Sequence, residues 1–125
     1  MREIKFRAWD KEGKKWLNNF TISHDGLQRG LERWDGDTIE WRSLNADLFI
    51  VQQFTGLKDK NGKEIYEGDI VRHRDNQLAE WRNDEIVFED AGFIAKSHSS
   101  LERRTFIGNH MEIIGNIYEN PNLLK

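Results

Sequence analysis

The feature that most narrows the fold is a turn signal set between two apolar runs. One run ends at Phe54 and another opens at Ile70; between them lie Asn61-Gly62, the apolar pair Ile65-Tyr66 and Glu67-Gly68-Asp69. Gly has no Cβ to clash and Asn tolerates the left-handed region, so Asn61-Gly62 predicts a tight hairpin with positive φ at both central residues. Gly68 predicts a second bend, with Asp69 bonding backbone amides at the turn. Two reversals this close together describe a β pathway.

Period-two alternation dominates the rest of the chain, and sustained 3.6-residue apolar stripes are hard to find. Ile4, Phe6 and Ala8 fall on one face of a first segment, with Glu3, Lys5 and Arg7 on the other. After a turn over Asp10–Lys14, Trp16, Asn18, Phe20 and Ile22 alternate and predict a hairpin with that segment. From His24 to Asp37 the pattern is broken by Gly26, Gly30 and Gly36, and Leu27, Leu31 and Trp34 predict a loop with one helical turn. Strands are predicted over Thr38–Trp41, Asp47–Phe54, Asp69–Arg74, Glu85–Phe88 and Phe93–Ala95. Met111–Tyr118 is a further strand, broken at Gly115 and stopped by Asn120-Pro121. Ser99 with Glu102 fits a capping box and predicts a short helix over residues 100–104. Phe6, Phe20, Phe49 and Phe54 lie on apolar faces and read as core.

A chain of 125 residues carrying seven Phe, five Trp and two Tyr can bury a self-sufficient core. The expectation is a single compact unit over residues 1–125, with an N-terminal β subdomain over 1–52 and a small barrel over 53–125. The net charge of −3 argues against a generic nucleic-acid footprint, because basic and acidic residues are mixed along the chain. Zero Cys excludes disulfides, thiolate catalysis and Cys-based zinc sites. Met1–Trp9 lacks the apolar core of a signal peptide and no run is long enough to span a bilayer, so a cytoplasmic protein without membrane partners is expected.

The residue types that could carry chemistry are present in the wrong arrangement. His24, His73, His98 and His110 show no close pairing of the kind that binds a metal, although His98 and His110 could meet across a turn. Asp59 to Glu64 superficially resembles a calcium loop, but Lys63 stands where an oxygen ligand is needed and Glu64 where Gly is needed. His73-Arg74-Asp75 matches the start of a kinase catalytic loop without any of its companions. Ser97-His98-Ser99-Ser100 offers hydroxyls and an imidazole, yet neighbouring strand residues point to opposite faces. No catalytic, metal or cofactor residue is assigned, and no enzyme is expected. The aromatic set is the feature suited to binding: Trp34, Trp41 and Trp81 each adjoin an Arg, and interleaved aromatics and cations stack bases or anchor a partner. The candidate binding surface is Trp34, Trp41, Arg72, Arg74, Trp81 and Arg82.

Three literal strings carry a family resemblance. They are the opening Met-Arg-Glu-Ile-Lys-Phe-Arg-Ala-Trp-Asp, the central Phe54-Thr-Gly-Leu-Lys-Asp-Lys-Asn-Gly-Lys-Glu-Ile-Tyr-Glu-Gly-Asp-Ile-Val71, and the closing Glu112-Ile-Ile-Gly-Asn-Ile-Tyr-Glu-Asn-Pro-Asn-Leu-Leu124. Together, and in this order, the chain resembles the YopX family of phage and prophage proteins. The resemblance implies a mainly β protein with an SH3-like small barrel in the C-terminal half, an N-terminal β subdomain and one or two short helices. It also implies the cytoplasm of a bacterial host and brings no activity with it. The function expected is a non-enzymatic protein-interaction or assembly module, docking a second copy of itself or another phage or host protein. The alternative is a nucleic-acid-binding accessory factor that uses Arg72, Arg74, Trp81 and Arg82 on one barrel face.

Overall fold

The computed structural model describes residues 3–17, 20–23, 26–32, 39–75, 80–98 and 103–124. They form a mainly β protein that divides into two compact units, Phe6–Val51 and Met1–Lys5 with Gln52–Lys125. No helix among the described residues is long and apolar enough to cross a membrane.

The smaller unit opens with β1 (Phe6–Asp10) and β2 (Lys15–Trp16), an antiparallel pair that sets Trp9 against Trp16. The Asp10 carboxylate accepts the Glu12 and Gly13 N–H groups at 3.1 and 3.0 Å, which fixes the turn between them. The Trp9 and Trp16 rings meet edge to face at 4.9 Å, and the Arg7 guanidinium lies 4.2 Å from the Trp16 ring centre. Ala8 and Leu17 are buried and pack with Phe20, Leu44 and Phe49, whereas Phe6, expected in the core, is 41% exposed.

The expected hairpin of β1 with one long strand through Ile22 is divided. Among the described residues, Lys15–Trp16 pairs with β1, and β3 (Phe20–Ser23) pairs instead with β4 (Gly26–Glu32), which pairs in turn with β5 (Ile39–Ser43). The predicted loop with a helical turn is therefore corrected: residues 26–32 are a central strand, with Gly30 opposite Trp41. Hydrogen-bonded partners on both sides outweigh the poor strand propensity of two glycines. Trp34 lies outside the described residues. A 3-10 helix, Ala46–Leu48, precedes β6 (Phe49–Lys58).

In the larger unit, the later part of β6 pairs with β7 (Glu64–Tyr66), followed by β8 (Asp69–Asp75), β9 (Glu80–Glu89), β10 (Gly92–Ser97), β11 (Arg104–Thr105) and β12 (Glu112–Asn116). The last five form one antiparallel sheet in the order β11-β10-β9-β8-β12; the sheets curl into a half-barrel, in keeping with the mainly β, SH3-like small barrel expected. Its core is Ile65, Val71, Ile86, Ala95 and Met111, with Ile107 and Ile113 packed against them. Burying each of the larger aliphatic side chains contributes on the order of 1.5–3 kcal/mol. Arg104–Thr105 is strand where the end of a capped helix was expected, and Ser99 to Glu102 lie outside the described residues. The C-terminal 3-10 helix runs Pro121–Leu124: Pro121, expected only to stop the last strand, also opens this element, because the first helical position needs no N–H.

The Asn61-Gly62 hairpin takes a different form from the one expected. Gly62 alone has positive φ, at 80°, and the Gly62 N–H donates to Asp59 O at 3.0 Å while the Asp59 N–H donates to Lys63 O at 2.8 Å. This is a four-residue turn closed by a left-handed Gly. The Asp59 side chain, 5% exposed, holds it: Oδ1 accepts the Asn61 and Lys63 N–H groups, each at 2.9 Å, and Oδ2 accepts the Ile113 N–H at 3.0 Å. The primed geometry expected at Asn61 occurs instead between β9 and β10, where Asp90 and Ala91 have φ of 52° and 64°.

Candidate functional site

Strand alternation decides which side chains meet, because cross-strand partners share a face. On β8 and β9 the pairs Arg72↔Asn83 and Arg74↔Trp81 turn away from the core, and Val71↔Asp84 and His73↔Arg82 turn toward it. Arg72 and Trp81 come together, with the Arg72 guanidinium 4.9 Å from the centre of the indole, and Trp81 remains 60% exposed. Arg74 is exposed on the same face.

Arg82 differs from the expectation that all four residues share one face. Its Nε donates to Asp84 Oδ2 at 3.0 Å and its Nη2 to Thr105 Oγ1 at 2.6 Å. Asp84 is fully buried and its Oδ2 also meets His73 Nε2 at 2.6 Å. His73, 2% exposed, lies edge to face with the His110 ring at 5.8 Å. Arg82 therefore anchors a buried ionic cluster. Asp84 Oδ1 is buried with no hydrogen-bond partner among the described residues.

A groove of about 810 Å³ lies beside the Arg72–Trp81 pair, within the range of roughly 300–1,000 Å³ typical of ligand pockets. Asn83, Ser97 and His98 line it from β9 and the end of β10, and Ile114, Leu123 and Leu124 supply apolar surface. The Asn83 side-chain amide donates to Leu123 O at 2.9 Å and so ties the C-terminal 3-10 helix to the sheet. His98 Nε2 meets Glu85 Oε1 at 2.7 Å. The two imidazoles weighed as a possible pair thus have separate neighbours, Glu85 for His98 and His73 for His110. Among the described residues no group of three or more His, Asp or Glu is arranged to hold a metal ion.

A family model described as YopX protein matches residues 5–125. The chain belongs to the YopX family. Two solved structures agree over their full length: protein EF1440 from Enterococcus faecalis, 28% identical, and protein yopX from Bacillus subtilis, 25% identical. Each covers 100% of both chains with a TM-score of 0.66. No curated protein matches the chain.

Of the surface residues read from the sequence of this YopX-family chain, Arg72, Trp81 and Arg82 border the groove. Arg74 flanks Trp81, and Trp41 lies on β5 in the other unit. Sequence reasoning missed Asn83, Ile114, Leu123 and Leu124 as site residues. The apolar pair Leu123-Leu124 just after Pro121 was the available signal: a Pro-started turn of helix carrying adjacent leucines needs a surface to cover.

Proposed function

We propose that this YopX-family chain, of phage or prophage origin and resident in the bacterial host cytoplasm, is a non-enzymatic contact module that docks a protein partner, either a second copy or another phage or host protein. The observation that supports this reading is the groove beside Trp81. It combines a large exposed aromatic, a stacked guanidinium and aliphatic side chains, the residue types that dominate binding energy at protein interfaces.

Size-exclusion chromatography with light scattering over a range of concentrations, together with affinity capture from induced host cells, tests it against Trp81→Asp. The reading expects a mass above the monomer, or a partner at near-stoichiometric yield, lost in the variant. A strict monomer with the same capture profile as Trp81→Asp would sink it. Nucleic-acid binding is the second reading, favoured by the Arg72 guanidinium lying on an indole able to stack a base. It expects affinity for single-stranded DNA or RNA that falls steeply with salt and weakens in Trp81→Ala.

A further inference from the structure

We infer that the groove takes an extended peptide segment in which an acidic residue at one position is followed two residues later by an aliphatic one; this deepens the contact-module reading and rests on it. The first argument is charge. Arg72 is exposed and, among the described residues, contacts the Trp81 ring and no carboxylate. Two acids on the outer face of the neighbouring strands are already engaged: Glu112, its cross-strand neighbour on β12, meets Lys60 at 3.1 Å, and Glu85 on β9 meets His98. The Arg72 guanidinium, 4.9 Å from the indole centre, retains N–H donors that can bind a carboxylate through two parallel hydrogen bonds.

The second argument is spacing. Arg72 is the cross-strand partner of Asn83, and the Asn83 amide holds Leu123 O. Adjacent strands lie about 4.8 Å apart, so the cationic and aliphatic parts of the groove are neighbours. Residues i and i+2 of an extended chain point to one face about 6.6 Å apart, so one face of a short segment can offer an acid to Arg72 and a Leu or Ile to the aliphatic lining of Ile114 and Leu124. Single-stranded nucleic acid would satisfy Arg72 and Trp81 but would leave this aliphatic part against sugar and phosphate, which favours the peptide.

The test is fluorescence polarisation with a labelled synthetic peptide carrying Asp and Leu at alternating second positions with Ser between. Controls replace every Asp by Lys, or every Leu by Ser, and labelled oligothymidylate is titrated alongside. The Asp–Leu peptide is expected to bind roughly 10-fold more tightly than either control, the scale of one charge-assisted contact. Arg72→Gln and Leu124→Ser, both on the surface, should each abolish that preference, while Phe88→Ser, an exposed aromatic outside the groove, should leave it intact. Equal binding of the three peptides, or binding confined to oligothymidylate and lost in Arg72→Gln, overturns the inference. If partner capture still depends on Trp81 while the peptides show no preference, the acid–aliphatic specificity falls and the contact module stands; if that dependence is absent as well, both fall.

Discussion

Ala91 is the residue at which local chemistry and backbone disagree most plainly. Its φ of 64° belongs to the left-handed region, which costs an L-residue with a Cβ roughly 1–2 kcal/mol. Ala91→Gly is expected to stabilise the protein by about 1 kcal/mol, after allowing for the greater freedom of Gly in the unfolded chain; urea midpoints measure it. Asp84 sits at the other extreme. Its buried side chain meets Arg82 and His73 at once, so Asp84→Ala removes the ion-pair partner of Arg82 and the hydrogen-bond partner of a buried imidazole. A loss of about 3–5 kcal/mol is expected, the range for breaking a buried ion pair from one side. An unfolding free energy within 1 kcal/mol of the parent, roughly the scale of an exposed pair, would contradict that account.

Among the elements, the bend between β7 and β8 shows why a single Gly is needed. Gly68 has φ of 85°, and a Cβ there would run into the side-chain amide of Gln52, which is itself 3% exposed. The Gly68 N–H donates to Ile86 O at 2.7 Å, and Asp69 Oδ2 accepts the Tyr66 N–H at 2.8 Å, so the backbone cannot shift without loss. Gly68→Ala should destabilise by more than about 2 kcal/mol, and adding Gln52→Ala should return the part due to collision while leaving roughly 1–2 kcal/mol from the backbone. Thermal unfolding of the two variants and their combination separates the terms. The turn and the strand after it were readable because Gly, Asp and alternation all pointed the same way. β4 was not readable, since Leu27 and Leu31 repeat at helical spacing and only pairing with β3 and β5 decides the matter. The site divides similarly: Arg72, Arg74 and Trp81 could be grouped by parity, whereas Leu123 and Leu124 reach the groove through a tertiary hydrogen bond at Asn83 that no local pattern encodes.

At the scale of the whole molecule, three groups among the described residues are shifted and tie stability to pH. Burial raises the Asp59 carboxyl, but the N–H groups of Ile113, Lys63 and Asn61 outweigh it and hold the group below its ordinary 3.8. The hydrogen bond from Lys96 holds Glu89 below its ordinary 4.5, and the bond to Glu64 raises Lys5 above its ordinary 10.5. A lowered carboxyl contributes stability that is complete above its unfolded value and lost as pH falls through the folded one; a raised amine contributes below its unfolded value and loses it as pH rises through the folded one. With respect to these groups, stability is therefore flat between 4.5 and 10.5. Lys5 and Glu89 are solvent-accessible and add little, so the acid limb belongs mainly to Asp59. Asp59→Asn should cost on the order of 2–4 kcal/mol at neutral pH, with the gap to the parent narrowing in strong acid. Denaturant unfolding of both proteins across the acid range tests this, and a gap that stays constant would contradict the linkage.

The bond from Ile113 to Asp59 also imposes an order in time. Residues 54 positions apart share one carboxylate, and the Lys60 N–H reaches Met111 O at 2.9 Å beside it. The hairpin's own bonds are local, but Asp59 Oδ2 and the Lys60 N–H gain these partners only once residues 111–113 are in place. Closure of the curled sheet thus acts as a completion signal written into the turn itself.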